Sequence, residues 1–113
     1  MKSPSRNRME TDLQRLLTSL MQRDIEDPRL LGTVITAVAV SRDNQSSVIK
    51  VHGMKRDDAA IVVERLTRLI PHFERELRRI LAKRRLPTLK FEWDDGLDAG
   101  NDMVDLLNKL SRV

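Results

Sequence analysis

The apolar positions change period along the chain, and each change marks an element. Met9, Leu13, Leu16, Leu17 and Leu20 recur at steps of three and four, which predicts a helix over about residues 8–25. Pro28 disfavours helix at Asp27 and closes it, and Gly32 lets the chain turn. From Thr33 to Ser41 the residues are Val, Ile, Thr and Ala on both parities, which reads as a strand buried on both faces or central in a sheet. Arg42-Asp43-Asn44 supplies hairpin turn chemistry. The return strand, Ser46 to Gly53, alternates: Val48, Lys50 and His52 on one side, Ile49 and Val51 on the other.

A helical period returns after Asp57 and Asp58, either of which can cap it, and runs through Ala60, Ile61, Val63 and Leu66 to Leu69-Ile70. Pro71 lacks a backbone donor and crowds the preceding turn, so a break or kink is expected there. A second helix follows to about Arg85. Phe73, Leu77, Ile80 and Leu81 form its apolar side. Leu89, Phe91 and Trp93 alternate with Thr88, Lys90 and Glu92 in a third strand. Asp94-Asp95-Gly96 turns the chain, and Met103, Leu106, Leu107 and Leu110 predict a terminal helix over about 97–110. Three strands with helices on one face make a two-layer α+β domain. The order α-β-β-α-α-β is that of the type II K-homology fold, here with a kinked helix pair at Pro71 and a C-terminal helix. Residues 1–7 read as a flexible basic arm and 8–113 as a single domain.

Charge sharpens this picture. The 113 residues carry a net +4, unevenly placed. From Phe91 onward two cations, Lys109 and Arg112, face six acids, so that stretch is net −4 and residues 1–90 are net +8. A basic body suits a polyanion, and an acidic end limits how it docks. Arg75, Arg78, Arg79 and Lys83 are spaced i, i+3, i+4, i+8 and share a helix face, with Arg84 and Arg85 beyond them. That row can grip closely spaced phosphates, or it can be a solvated face balanced by Glu64, Glu74 and Glu76. Lys2, Arg6 and Arg8 read equally as a groove-entering arm or as a solubilising terminus. Arg29 reads as a neutraliser of Asp27 or a helix-end cap.

Other chemistry is thin. Cysteine is absent, which removes disulfides and thiolates and fits the cytosol. No apolar run approaches the roughly 20 residues that span a bilayer, and the polar start does not read as a secretory signal. With two distant histidines, His52 and His72, no zinc site is expected, and the acids near Gly96 lack calcium-loop spacing. Asp98, Asp102 and Asp105 read as solvated carboxylates at a helix start. Phe73, Phe91 and Trp93 fall in apolar patterns and belong to the core, so a base-stacking sheet is not expected. No catalytic triad, phosphate loop or dinucleotide fingerprint occurs, and neither enzyme activity nor a cofactor is expected.

Three stretches carry a resemblance to a known family: Arg23-Asp24-Ile25-Glu26-Asp27-Pro28-Arg29-Leu30, Val38-Ala39-Val40-Ser41-Arg42-Asp43, and Arg85-Leu86-Pro87-Thr88-Leu89-Lys90-Phe91-Glu92-Trp93-Asp94. In this order and spacing, over about residues 8–110, the chain resembles ribosome-binding factor A. The resemblance implies a K-homology-like domain that binds 16S ribosomal RNA on the immature small (30S) subunit and assists its maturation and RNA processing. It implies a monomeric, cytoplasmic cold-adaptation factor without catalytic activity, released with help from a maturation GTPase, and no membrane partner. The cations proposed for RNA are Arg6, Arg8, Arg75, Arg78, Arg79, Lys83, Arg84 and Arg85. Alternatives are a protein-interaction module, using the acidic final helix or a sheet edge, and a non-specific nucleic-acid binder. One departure stands out: where the family usually breaks its helix pair with Ala-x-Gly, this chain has Leu69-Ile70-Pro71. Proline offers no N–H to a phosphate, so side-chain cations must carry more of the contact.

Overall fold

The computed structural model describes residues 4–53, 55–82 and 84–96. The elements are α1 (Pro4–Asp24), β1 (Val34–Val40), β2 (Ser46–His52), α2 (Ala59–Arg68), α3 (Ile70–Leu81) and β3 (Thr88–Trp93). This is the expected α-β-β-α-α-β order. The expected terminal helix over 97–110 lies outside the described residues, as do Lys2 and Lys83.

The helix α1 begins at Pro4, five residues before the apolar period does, so residues 4–7 are helical where a flexible arm was expected. Proline is well suited to a first helical turn, where its missing donor costs nothing. Met9, Leu13, Leu16, Leu17 and Leu20 are buried, as their spacing requires. After α1, Pro28–Leu30 forms a single 3-10 turn whose first N–H groups are capped by Asp27: its carboxylate accepts from the Arg29 backbone at 3.0 Å. Gly32 then takes a φ of 82°, a conformation that side-chain-bearing residues rarely adopt.

The sheet order is β1-β2-β3. β1 and β2 are an antiparallel hairpin, and β3 lies parallel to β2, as a helical crossover permits. β2 is therefore the central strand and β1 an edge, contrary to the reading of β1 as central or doubly buried. Val38 and Val40 point into the core, while Ala37, Ala39 and Val34 are exposed on the other face. Thr36 is the extra residue of a β-bulge: Ile35 pairs with Val51 and Ala37 already with Lys50. Its hydroxyl donates to Asp94 Oδ2 at 2.6 Å, tying the bulge to the end of β3. The free edge of β1 is partly occupied by α1. Glu10, itself buried, accepts from the Val40 backbone N–H at 2.8 Å, and Gln14 Nε2 donates to the Ile35 carbonyl at 3.4 Å.

Phe73 and Leu77 of α3, Leu66 of α2, Leu13 and Leu17 of α1, and Ile49 and Val51 of β2 are wholly buried and form the centre of the core. Phe91 and Trp93 of β3 complete it, so the three aromatic residues are core residues. Ile80, expected with them, is 46% exposed.

The helix pair breaks at Leu69, two residues ahead of the proline. Leu69 donates to the Leu66 carbonyl and accepts from the Phe73 N–H, both at 3.0 Å, closing one helix and opening the next. Pro71 sits in the first turn of α3, where its absent N–H would have had no acceptor within the helix. The proline thus starts α3 and does not strain it. Pro71→Ala is expected to shift stability by less than about 1 kcal/mol, since both residues fit this position and only unfolded-chain entropy changes. A urea-unfolding midpoint checks this, and a substantially larger loss would mean that the ring itself holds the joint.

Candidate nucleic-acid interface

At its far end α3 stops at Leu81. Ala82 adopts a left-handed φ of 54° and donates to the Arg78 carbonyl at 3.0 Å. Arg84 and Arg85 therefore lie in the connection to β3, not on the helix that was expected to reach them. Arg84 turns back toward α1, pairing with Asp12 at 2.5 Å and lying 4.0 Å from Met9 Sδ. It is 35% exposed and ties two elements together, which sets it apart from the exposed row. Arg85 is exposed and contributes to the field at Asp43.

The α3 row itself is on the surface. Arg78 and Arg79 are 67% and 72% exposed, and Arg75 is exposed without an ion pair or hydrogen bond among the described residues. Arg78 reaches Glu74 at 3.3 Å and Arg79 reaches Glu76 at 2.5 Å. Of the glutamates read as company for a solvated helix, Glu74 and Glu76 are thus paired within it, and Glu64 pairs with Arg68 on α2. Such exposed pairs are worth at most about 1 kcal/mol each, so a phosphate can take the arginine away from its glutamate.

Contacts between α1 and α3 add cations that sequence spacing alone had left aside. Asp12 pairs with Arg15 at 3.6 Å as well as with Arg84. Glu76 accepts Arg23 at 3.4 Å as well as Arg79. The start of α1 therefore lies beside the end of α3, and the end of α1 beside its start, so the two helices run antiparallel. Arg8, Asp12, Arg15, Ser19 and Arg23 recur at steps of three and four along one side of α1, and the Asp12 and Arg23 bridges place that side next to α3. The candidate interface thus spans two neighbouring helices, with exposed Arg8, Arg15 and Arg23 on one and Arg75, Arg78 and Arg79 on the other, and Arg23 and Arg79 meet at Glu76. Arg6 is half-buried and contributes less surface than Arg8. The stripe on α1 was present in the spacing of its arginines; its partnership with α3 required the antiparallel packing.

At the α2–α3 joint, Asp24 Oδ2 lies 2.7 Å from His72 Nε2 while Arg23 grips the same carboxylate at 2.5 and 2.8 Å. Asp27 pairs with Arg65 at 2.5 Å. Asp27 is the cap here and the Arg29 backbone N–H is the group it caps, the reverse of the helix-end cap expected of Arg29, while the Arg29 charge helps to lower Asp27 as a neutraliser would. Among the described residues no group of three His, Cys, Asp or Glu side chains could hold a metal ion, and no helix is long and apolar enough to cross a membrane.

These pairings set a pH dependence. The Arg84 hydrogen bond holds Asp12 below its ordinary value of 3.8. Arg23 and then His72 lower Asp24, and the Arg29 N–H and then Arg65 lower Asp27. The Ser41 hydroxyl lowers Asp43, and Lys50 lowers Glu92 from 4.5. A carboxylate whose folded pKa is depressed adds stability above its unfolded value and loses it as pH falls through the folded one. Stability is therefore expected to be flat with respect to these acids from neutrality down to about pH 5 and to fall steadily below about pH 4. Urea midpoints across that range test the sign, and a midpoint rising on acidification would contradict the pairings.

Comparison with known proteins places this geometry. The ribosome-binding factor A family model matches residues 5–107. The ribosome-binding factor A of Sorangium cellulosum is 32% identical over 107 residues, covering 91% of this chain and 82% of that one. That of Ectopseudomonas mendocina is 33% identical over 106 residues, covering 90% and 82%. The crystal structure of ribosome-binding factor A from Thermus thermophilus superposes with a TM-score of 0.67 at 29% identity, covering 76% of this chain and 92% of that one. A homology model of the Thermus thermophilus factor, fitted into a cryo-EM map of its complex with 30S, gives 0.63 at 31% identity, covering 75% and 91%. A Thermotoga maritima protein described as a putative ribosome binding factor A shares the fold alone, with a TM-score of 0.70 at 22% identity over 80% and 88% of the two chains. With its K-homology-like architecture and a family match that spans nearly its whole length, this chain belongs to the ribosome-binding factor A family.

Proposed function

We propose that the α1–α3 surface binds folded 16S ribosomal RNA on the immature small ribosomal subunit and thereby assists the subunit's maturation and RNA processing. The observation that carries this reading is that two neighbouring antiparallel helices each carry a row of exposed arginines, with Arg79 and Arg23 sharing Glu76. Family membership supports the partner, as does the Thermus relative fitted into a map of its 30S complex. Phosphate contacts fix position and orientation without reading bases. A rigid two-helix surface therefore recognises how RNA strands are arranged in space, and it favours whichever conformer of the subunit presents phosphates to both rows. The reading calls for no bond-making step.

Gradient sedimentation of the tagged protein from lysate tests the partner. Co-migration with free small subunits and absence from joined ribosomes is the expected result; migration with neither would reject the reading. Titration of purified subunits at increasing salt tests the contact. Six arginines on phosphates predict a slope of log affinity against log salt of about −4 to −5. A flat dependence would point to a protein partner instead, and equal affinity for any duplex would point to a non-specific binder.

A further inference from the structure

The joint between α2 and α3 is one residue, Leu69, and it carries neither a glycine nor a side-chain cap. Two backbone hydrogen bonds define it locally, so the angle between the helices depends on Leu69 φ and ψ and on what braces the joint from outside. The brace comes from the segment linking α1 to β1. Asp24 holds His72, three residues after Leu69, and Asp27 holds Arg65, four residues before it. Both carboxylates are themselves oriented. Arg23 fixes Asp24 through two hydrogen bonds, and the Arg29 N–H fixes Asp27 at 3.0 Å. Between them Ile25 packs on the core, and beyond them Pro28 stiffens the turn while Leu30 is buried, so the segment cannot slide. Arg23 also reaches Glu76, carrying the same brace one turn further along α3.

We infer that Asp24 and Asp27 form a two-point clamp that sets the angle between α2 and α3 and so holds the α3 arginines in register with those of α1. Both are positioning residues. This inference rests on the reading of the two-helix surface as the RNA face, and it explains how a chain with Leu69-Ile70-Pro71 at its joint keeps that joint fixed. Asp24 and Asp27 thus act by orientation and not by contact with RNA.

Glu26 allows the inference to be separated from simple charge. It lies between the two aspartates, is exposed, and makes no ion pair or hydrogen bond among the described residues. Asp24→Ala, Asp27→Ala and Glu26→Ala each remove one negative charge from a basic protein, which on electrostatic grounds strengthens attraction to RNA. The clamp predicts the opposite for the two aspartates. Asp24→Ala and Asp27→Ala are expected to bind free small subunits more weakly, on the order of tenfold for the pair combined, because preorganisation is lost. Their salt slope should stay near that of the parent, since the arginines remain. Glu26→Ala should bind at least as tightly as the parent. Equal or tighter binding by all three variants would overturn the clamp while leaving the RNA face standing. Absence of salt-dependent binding by the parent protein would instead reject the RNA face. Hydrogen exchange then decides the clamp by itself: the Leu69 and Phe73 amides should exchange faster in Asp24→Ala and Asp27→Ala than in Glu26→Ala, and identical exchange would overturn it.

Discussion

Replacing Arg15, Arg75, Arg78 and Arg79 together with alanine is expected to leave the domain folded and to remove measurable binding to free small subunits. The fold survives because all four side chains are exposed and their ion pairs are surface pairs worth at most about 1 kcal/mol each. Binding fails because phosphate contacts act together. Each contributes to the release of condensed counterions, so losing four is expected to flatten the salt slope by about three and to cost roughly two to three orders of magnitude in affinity near physiological salt. Arg23 and Arg84 are left in place because they also brace Asp24 and Asp12. A variant with the same change in net charge, Arg29, Arg42, Lys55 and Lys90 to alanine, alters exposed cations outside the α1–α3 surface and should retain most of the affinity. If the two variants lose affinity equally, net charge and not a surface governs binding, and the assignment fails.

Phe73→Ala should be the most damaging single change to the fold. The ring is wholly buried on the inner side of α3 and meets Phe91 of β3 at a centroid distance of 6.0 Å, tilted by 60°, so it joins the helix layer to the sheet. Truncating a buried phenylalanine removes its transfer energy and leaves a cavity, together about 3–5 kcal/mol. Domains of this kind have roughly 5–15 kcal/mol in total. A fall in melting temperature of more than about 10 °C is expected by circular dichroism. A fall of only a few degrees would mean that the site collapses around the smaller side chain. The two experiments divide α3 by face: one face holds the domain together, and the other can be stripped of charge at little cost to stability.

How much of this was legible in the sequence depended on whether local pattern or tertiary packing decided the matter. β2 and β3 alternate strictly because one face of each is buried, so their inward residues Ile49, Val51, Leu89, Phe91 and Trp93 could be named in advance. β1 could not be read the same way. Its alanines at 37 and 39 look apolar in a pattern, yet they are small enough to stand in water at little cost, and the bulge at Thr36 changes the parity of the strand. The end of α3 carried no glycine to announce it, because Ala82 takes the left-handed turn itself. The α3 arginines Arg75, Arg78 and Arg79 were legible from spacing. Arg15 and Arg23 share a comparable spacing along α1, but nothing in the sequence says that α1 lies against α3. The bridges through Glu76 and Asp12 say so.

Glu10 and Gln14 carry a last consequence. A sheet rim with idle amides and carbonyls is where a foreign extended peptide could settle, and a tract rich in valine and isoleucine would be inviting. On β1 the Val40 amide and the Ile35 carbonyl are already engaged, one near each end. An incoming strand would have to evict a buried carboxylate to dock there, so crowding many copies together should not stitch them into fibrils along this border.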